Sequence, residues 1–155
     1  MDKNKINETL FLAQKNHKES NLDIAENLYE KVLKKDSKNF EAIFLLGTLL
    51  SQKKKFDRAT NFLYKASQID PNSAKVQNNL GTALLKLNKF EESINCYKKA
   101  LEIDPGYPRA SDNLTRAYEL YAKILFKKNL HKEAINCIQK GAGLIRFTEK
   151  DFKII

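Results

Sequence analysis

A period of about 34 residues constrains this chain more than any other feature. Gly81 repeats Gly47 at that step, and Phe90 repeats Phe56. Ala100, Ile103, Asp104 and Pro105 follow Ala66, Ile69, Asp70 and Pro71 at the same distance. One further step back, Ala13, Leu22, Ala25 and Asp36 match in character. Each period reads as helix, turn, helix, stop. A regular step of this size requires stacked copies of one small unit, each burying its apolar face against the next.

Composition agrees with helix throughout. Among 155 residues there are only 5 Gly and 3 Pro, with 42% hydrophobic and 30% charged residues. Such a chain can bury a core and stay in solution. The net charge of +9 raises the question of nucleic acid or an acidic surface. Only Arg58, Arg109, Arg116 and Arg146 are arginines among the 28 basic residues, and the chain is also rich in Asn and Ile. That mixture points to a codon bias toward A and T rather than to a nucleic-acid partner. Cys96 and Cys137 form no disulfide framework, so a reducing compartment is expected. The polar opening residues carry no secretory apolar core, and no apolar run approaches the ~20 residues of a membrane span. A cytoplasmic location is expected.

The units divide as 1–5, a polar lead-in; 6–39; 40–73; 74–107; 108–144; and 145–155, a tail. In the first unit Ile6, Thr9, Leu10, Leu12 and Ala13 share one side of a helix, and Leu22, Ala25, Leu28, Tyr29, Val32 and Leu33 share one side of the next. Ser37 stands where later units carry Pro. In the second unit Gly47 sits mid-helix, where Gly costs about 1 kcal/mol against Ala. Close approach of the paired helix is expected to offset that cost. The Lys53-Lys54-Lys55 turn reads as a solvated loop. Asp70-Pro71 stops the second helix because Pro cannot continue it. The third unit is the most regular, with Leu80, Gly81, Leu84 and Leu87 inward, then Phe90, Ser93, Ile94, Tyr97, Ala100 and Leu101.

The phrases Asn78-Asn79-Leu80-Gly81-Thr82-Ala83, Phe90-Glu91-Glu92-Ser93-Ile94 and Lys99-Ala100-Leu101-Glu102-Ile103-Asp104-Pro105 carry a resemblance. Over about 140 residues the chain is similar to tetratricopeptide-repeat proteins, most of all to bacterial arrays of the kind that precede O-linked glycosyltransferase domains. The resemblance implies an all-α solenoid of about four helix-turn-helix repeats (eight helices), wound as a right-handed superhelix with a concave peptide-binding face.

The fourth unit departs from the period. Its Ile135-Asn136-Cys137 phrase follows Ile94-Asn95-Cys96 at a step of 41 rather than 34. The excess of 7 is close to two helical turns. With no Gly or Pro from 109 to 128 to form a loop, the spacing predicts a lengthened first helix over 108–128 with Pro108 in its first turn. Ala122 then takes the small-residue slot, with Tyr118, Tyr121 and Leu125 toward the core. Ala134, Ile135, Ile138 and Gly141 are expected inward on the second helix, with Gly143 as its cap. Thr148 to Phe152 resembles a single-turn helix start, either a cap over the last apolar surface or the entry to a following domain.

No catalytic constellation is visible, and no cofactor or metal is expected. His17 and His131 read as ordinary helix-end and turn residues, and Cys96 and Cys137 as small packing residues. The positions between the packed ones on each first helix form the candidate groove: Gln14, Phe44, Thr48, Lys75, Asn78, Asn79, Thr82 and Lys123, with Leu10, Leu45 and Leu85 as apolar members. Asn78 and Asn79 offer both donors and acceptors for a peptide backbone. The resemblance implies that Asn79 occupies the slot of an asparagine ladder, which the other units break with Phe11, Leu45 and Leu120. A clamp for chaperone C-terminal carboxylates is also implied by the family; of its slots at Leu10, Gln14, Leu45, Lys75 and Asn79 only Lys75 matches, which argues against that ligand. The expected function is a non-enzymatic interaction scaffold that binds a peptide or partner domain, with self-association through the solenoid ends as a further mode. The alternative is the substrate-recruiting N-terminal part of a larger enzyme, such as a glycosyltransferase.

Overall fold

The computed structural model describes residues 3–142; the cap expected at Gly143 and the turn expected at Thr148 to Phe152 lie outside them. Among the described residues eight helices form four pairs: α1 Lys3–Lys18 with α2 Leu22–Lys35, α3 Phe40–Gln52 with α4 Phe56–Ile69, α5 Ala74–Lys86 with α6 Phe90–Ile103, and α7 Pro108–Lys127 with α8 His131–Ala142. No described helix is long and apolar enough to cross a membrane. Each helix packs on its successor. The odd-numbered helices also approach one another at the backbone, α1 to α3, α3 to α5 and α5 to α7, whereas the even-numbered ones meet through long side chains, Arg58 on Glu26 and Glu30 and Tyr64 on Glu92. The solenoid therefore curves with α1, α3, α5 and α7 on its inner side.

The turns carry the period in their backbone. The residue at the centre of each tight turn has a positive φ: Ser20 (64°), Lys54 (58°), Asn88 (59°) and Asn129 (59°). Their spacing repeats the steps of the side-chain pattern, two ordinary periods and then the longer one. Asn tolerates this left-handed region; Ser and Lys hold it at a cost of about 1 kcal/mol. The longer connections use an aspartate. Oδ1 of Asp36, Asp70 and Asp104 accepts the backbone N–H two residues on, at 3.3, 3.1 and 3.1 Å. The first unit stops in the same way as the others although it lacks the proline, because the aspartate bond is present in all three.

Gly47 and Gly81 mark the closest approach within a pair. A Cβ on Gly47 would lie 2.9 Å from Leu63 Cγ, and one on Gly81 would lie 2.8 Å from Tyr97 Cε1. Tyr97 and Leu63 are fully buried, so dispersion attraction across this tight packing offsets the glycine's helix cost.

Helix α7 runs for 20 residues against 13 for α3 and α5. Its two halves follow different registers. Ala110, Leu114, Ala117 and Tyr118 come one ordinary period after Val76, Leu80, Ala83 and Leu84 and, like them, are buried. This half faces Ile94 and Tyr97 of α6. Further on, Ala122 comes one long step after Gly81 and packs with Leu125 and Ala134 of the final pair. The helix thus starts in register with α5 and overshoots it by two turns before pairing with α8.

Two residues expected in the core are exposed. Leu12 is 46% exposed, although Leu46, Leu80 and Leu114 at the equivalent positions are buried, because no described helix packs in front of α1. Ile135 is 49% exposed, whereas Ile94 is buried at the equivalent place, because no described helix packs beyond α8. The lysine turn is also not simply solvated. Lys53 pairs with Asp23 and Glu26, and the buried Glu26 is reached as well by Lys55 at 3.2 Å and Arg58 at 2.8 Å. Burial pushes the Glu26 carboxyl up, but the bonds from Lys53, Lys55 and Arg58 outweigh it and hold the group down at about 2.

Candidate peptide-binding groove

The inner helices place the expected groove residues in two contrasting halves. Toward the N-terminus the polar side chains engage one another. Gln14 Nε2 donates to Glu41 Oε1 at 2.6 Å, and His17 Nε2 lies 2.9 Å from Gln52 Oε1. Leu10 and Phe44 are buried, and the Lys75 ammonium lies 5.6 Å from the centre of the Phe44 ring. This is a cation–π contact that holds the lysine over the helix it faces.

Between α3, α5 and α7 runs a directed chain of hydrogen bonds. Asn113 Nδ2 donates to Asn78 Oδ1 at 2.9 Å, and Asn78 Nδ2 donates to Asn79 Oδ1 at 3.3 Å. Asn79 Nδ2 then donates to the Thr48 hydroxyl at 3.1 Å, which donates to the Phe44 carbonyl at 2.9 Å. Asn78 is only 4% exposed, and both ends of its amide are engaged; Asn79 and Thr48 are half-buried beside it. Thr82 donates to the Asn78 carbonyl at 3.0 Å and accepts from the Tyr97 hydroxyl at 3.1 Å. Such a chain fixes the rotamers that line the groove.

Asn113 was not among the expected groove residues. The long step assigns Leu120 to the asparagine slot, yet the amide that meets Asn78 comes from Asn113, which stands one ordinary period after Asn79. The shorter step was the available signal: the first half of α7 still packs against the third unit, so the unbroken period applies there.

The N-terminal half holds a pocket of about 480 Å³ lined by Gln14, His17, Tyr29, Glu41, Leu45 and Gln52, and toward the C-terminus the lining becomes more apolar and loses its carboxylate. Asn113, Arg116, Leu120, Lys123 and Lys127 follow one another at steps of three or four, a single stripe along α7. Facing it on α5 are Thr82, Leu85 and Lys86. Two pockets of about 250 and 410 Å³ share Leu85, Asn88 and Leu120 and form one continuous trough. Lys123 sits on the rim of the larger pocket, whose floor is Leu85, Leu120 and Ile124.

The tetratricopeptide repeat signature matches at residues 28–60, 74–107 and 115–147, well over half of the chain in total. The chain belongs to the tetratricopeptide-repeat family. Among solved structures, this tetratricopeptide-repeat chain is similar to a mutant O-GlcNAc transferase from Thermobaculum terrenum, at 30% identity and a TM-score of 0.69 over 74% of this chain. It spans only 22% of that transferase's length. It is also similar to MamA from MSR-1, at 25% identity and a TM-score of 0.72, covering 93% of this chain and 80% of MamA. The first tetratricopeptide domain of Spaghetti (RPAP3), solved with an HSP90 peptide, shares the fold at 24% identity, with a TM-score of 0.75 over 79% of this chain and 97% of that domain. No curated protein sequence matches the chain. The match at 115–147 begins inside α7, in line with the last pair being formed by the far part of that helix.

Proposed function

We propose that this tetratricopeptide-repeat chain is a non-catalytic interaction scaffold that seats a peptide segment or a partner domain in its concave face. The observation that carries this reading is the continuous trough between α5 and α7, with an apolar floor of Leu85 and Leu120 and the Asn113 and Asn88 amides in its lining; Asn78, expected to grip a peptide, is instead buried with both ends of its amide engaged. Apolar anchors and amide groups together suit an extended segment with alternating side chains. Capture from the native lysate by the wild-type chain and by a Leu85→Asp, Leu120→Asp variant of unchanged helicity tests it. The variant should lose the specific partners, and an unchanged set of captured proteins would overturn the assignment. Unpaired Cys96 and Cys137 suit the reducing cytoplasm as its compartment.

A second reading is a substrate-recruiting region of a larger enzyme, with a glycosyltransferase domain after residue 155. Its support is the 30% identity to part of the Thermobaculum terrenum O-GlcNAc transferase. Reading the gene downstream tests it, since a stop codon directly after Ile155 would remove it.

A further inference from the structure

We infer that the two-turn overshoot of α7 builds a subsite for an acidic peptide segment that carries an aliphatic side chain. The inference rests on the peptide-binding reading of the concave face and names the chemistry of one part of it. The pocket exists because α7 continues past the end of α5. Leu120, Lys123, Ile124 and Lys127 thereby stand over Leu85 and over Phe90 at the start of α6. A first helix of 13 residues, the length of α3 and α5, would end near Leu120 and would not supply Lys123, Ile124 and Lys127 to this wall.

Lys86, Arg116, Lys123 and Lys127 line the two joined pockets, and no carboxylate does. The neighbouring pocket that shares Asn88, Phe90 and Ile124 carries Glu91 and Glu92, but Glu91 accepts from the Tyr121 hydroxyl and Glu92 is held by Tyr64 and Lys89. None of the four cations pairs with a carboxylate among the described residues, whereas Lys53, Lys55 and Arg58 are all paired in the Glu26 cluster. Four cations around a partly closed apolar floor repel one another, and an acidic ligand relieves that repulsion while the floor excludes water from its side chain. A nucleic acid fits less well. Of the rings at the rim, Phe90 is stacked on Tyr121 at 5.4 Å, and the part-exposed Phe126 meets His131 at 5.7 Å with a tilt of 47°, so no row of parallel free rings is offered to successive bases. The floor itself is aliphatic.

Fluorescence anisotropy tests the inference with an end-blocked peptide of Glu and Asp around two leucines. The comparison probes are the same peptide with serines for the leucines, a lysine version, and a single-stranded thymidine oligomer of equal length. The leucine-containing acidic peptide should bind at least about tenfold more tightly than each of the other three. Lys123→Glu with Lys127→Glu should abolish that binding. Lys31→Glu with Lys35→Glu, an equal change of net charge on the exposed side of α2, should leave it within about twofold. Equal losses in the two variants would mean a response to net charge alone and would overturn the subsite. Tighter binding of the oligomer would also overturn it. If no peptide binds while lysate capture still depends on Leu85 and Leu120, the acidic-segment inference falls and the scaffold reading stands.

Discussion

The amide of Asn113 donates to Asn78 Oδ1 at 2.9 Å across the seam between the third and fourth repeats, and Asn78 is 4% exposed. Removing the donor leaves a buried acceptor without a partner. Asn113→Ala is expected to cost about 1–3 kcal/mol in guanidinium unfolding. The double variant with Asn78→Ala should cost less than the sum of the single ones by at least about 0.5 kcal/mol. Additive costs would mean that the bond does not couple the two repeats.

The Glu26 carboxylate links the first two repeats. Burial raises its pKa, but hydrogen bonds from Lys53, Lys55 and Arg58 bring the folded value to about 2, below the ordinary 4.5. Between these two values the unfolded chain binds more protons than the folded one, so stability rises with pH in that window. The contribution is fully present above about pH 4.5 and is lost as pH falls toward 2. Its upper bound is about 3 kcal/mol, and the half-exposed Lys55 and Arg58 reduce it to about 1–2. Glu26→Gln should lose that amount at pH 7 and little at pH 2 in urea melts. A difference that is independent of pH would refute the account.

Lys54 holds a φ of 58° in an exposed turn, and its side chain makes no hydrogen bond or ion pair among the described residues. The third and fourth repeats place Asn there. Lys54→Gly should relieve the strain and stabilise the fold by about 0.5–1 kcal/mol, read as a higher Tm. A lower Tm would show that the lysine contributes something the turn geometry does not reveal.

Gly81→Ala sets two effects against each other. Helix propensity favours Ala by about 1 kcal/mol, while the new Cβ would fall 2.8 Å from the buried Tyr97 ring. Overpacking costs about 1–3 kcal/mol, so a net loss of about 1–2 is expected. The first repeat accepts Ala13 beside Tyr29, but there the hydroxyl lies 3.3 Å from His17, four residues further along. Tyr97 is instead tied to Thr82, next to the glycine, and has less room to move. Weakening of the hydrogen bond at Thr82, followed by exchange of the Tyr97 hydroxyl proton, would report the displacement.

Cys96 is held up at about 11, first by burial and then by the nearby Glu92 carboxylate. Burial also raises the Cys137 thiol. At pH 8 both should react with a disulfide reagent at least about tenfold more slowly in the folded chain than in urea. Fast native reaction at either site would contradict the packing described for α6 and α8.

Much of this fold was legible in one dimension. A fixed step imposes the same neighbours on every unit, so the pairs, the glycine contacts at Gly47 and Gly81 and the extra turns of α7 all followed from counting. Counting failed where a residue's surroundings change along one helix. Asn113 obeys the ordinary period because the first half of α7 packs on α5 and α6, while Ala122 obeys the long step because the second half packs on α8. A linear alignment assigns one register to a helix, but a helix that outlasts its neighbours has two.

The period and the helix-forming composition were enough to determine a stack of helical hairpins and its repeat lengths, because local propensity and apolar spacing act within a few turns. Tertiary structure alone decided what the polar side chains do. Lys53 and Glu26 lie 27 residues apart in the chain yet share one buried ion pair, and Asn113 reaches Asn78 across 35. Charges and amides are neutralised by whatever lies nearest in space, and in a solenoid that neighbour belongs to the adjacent repeat.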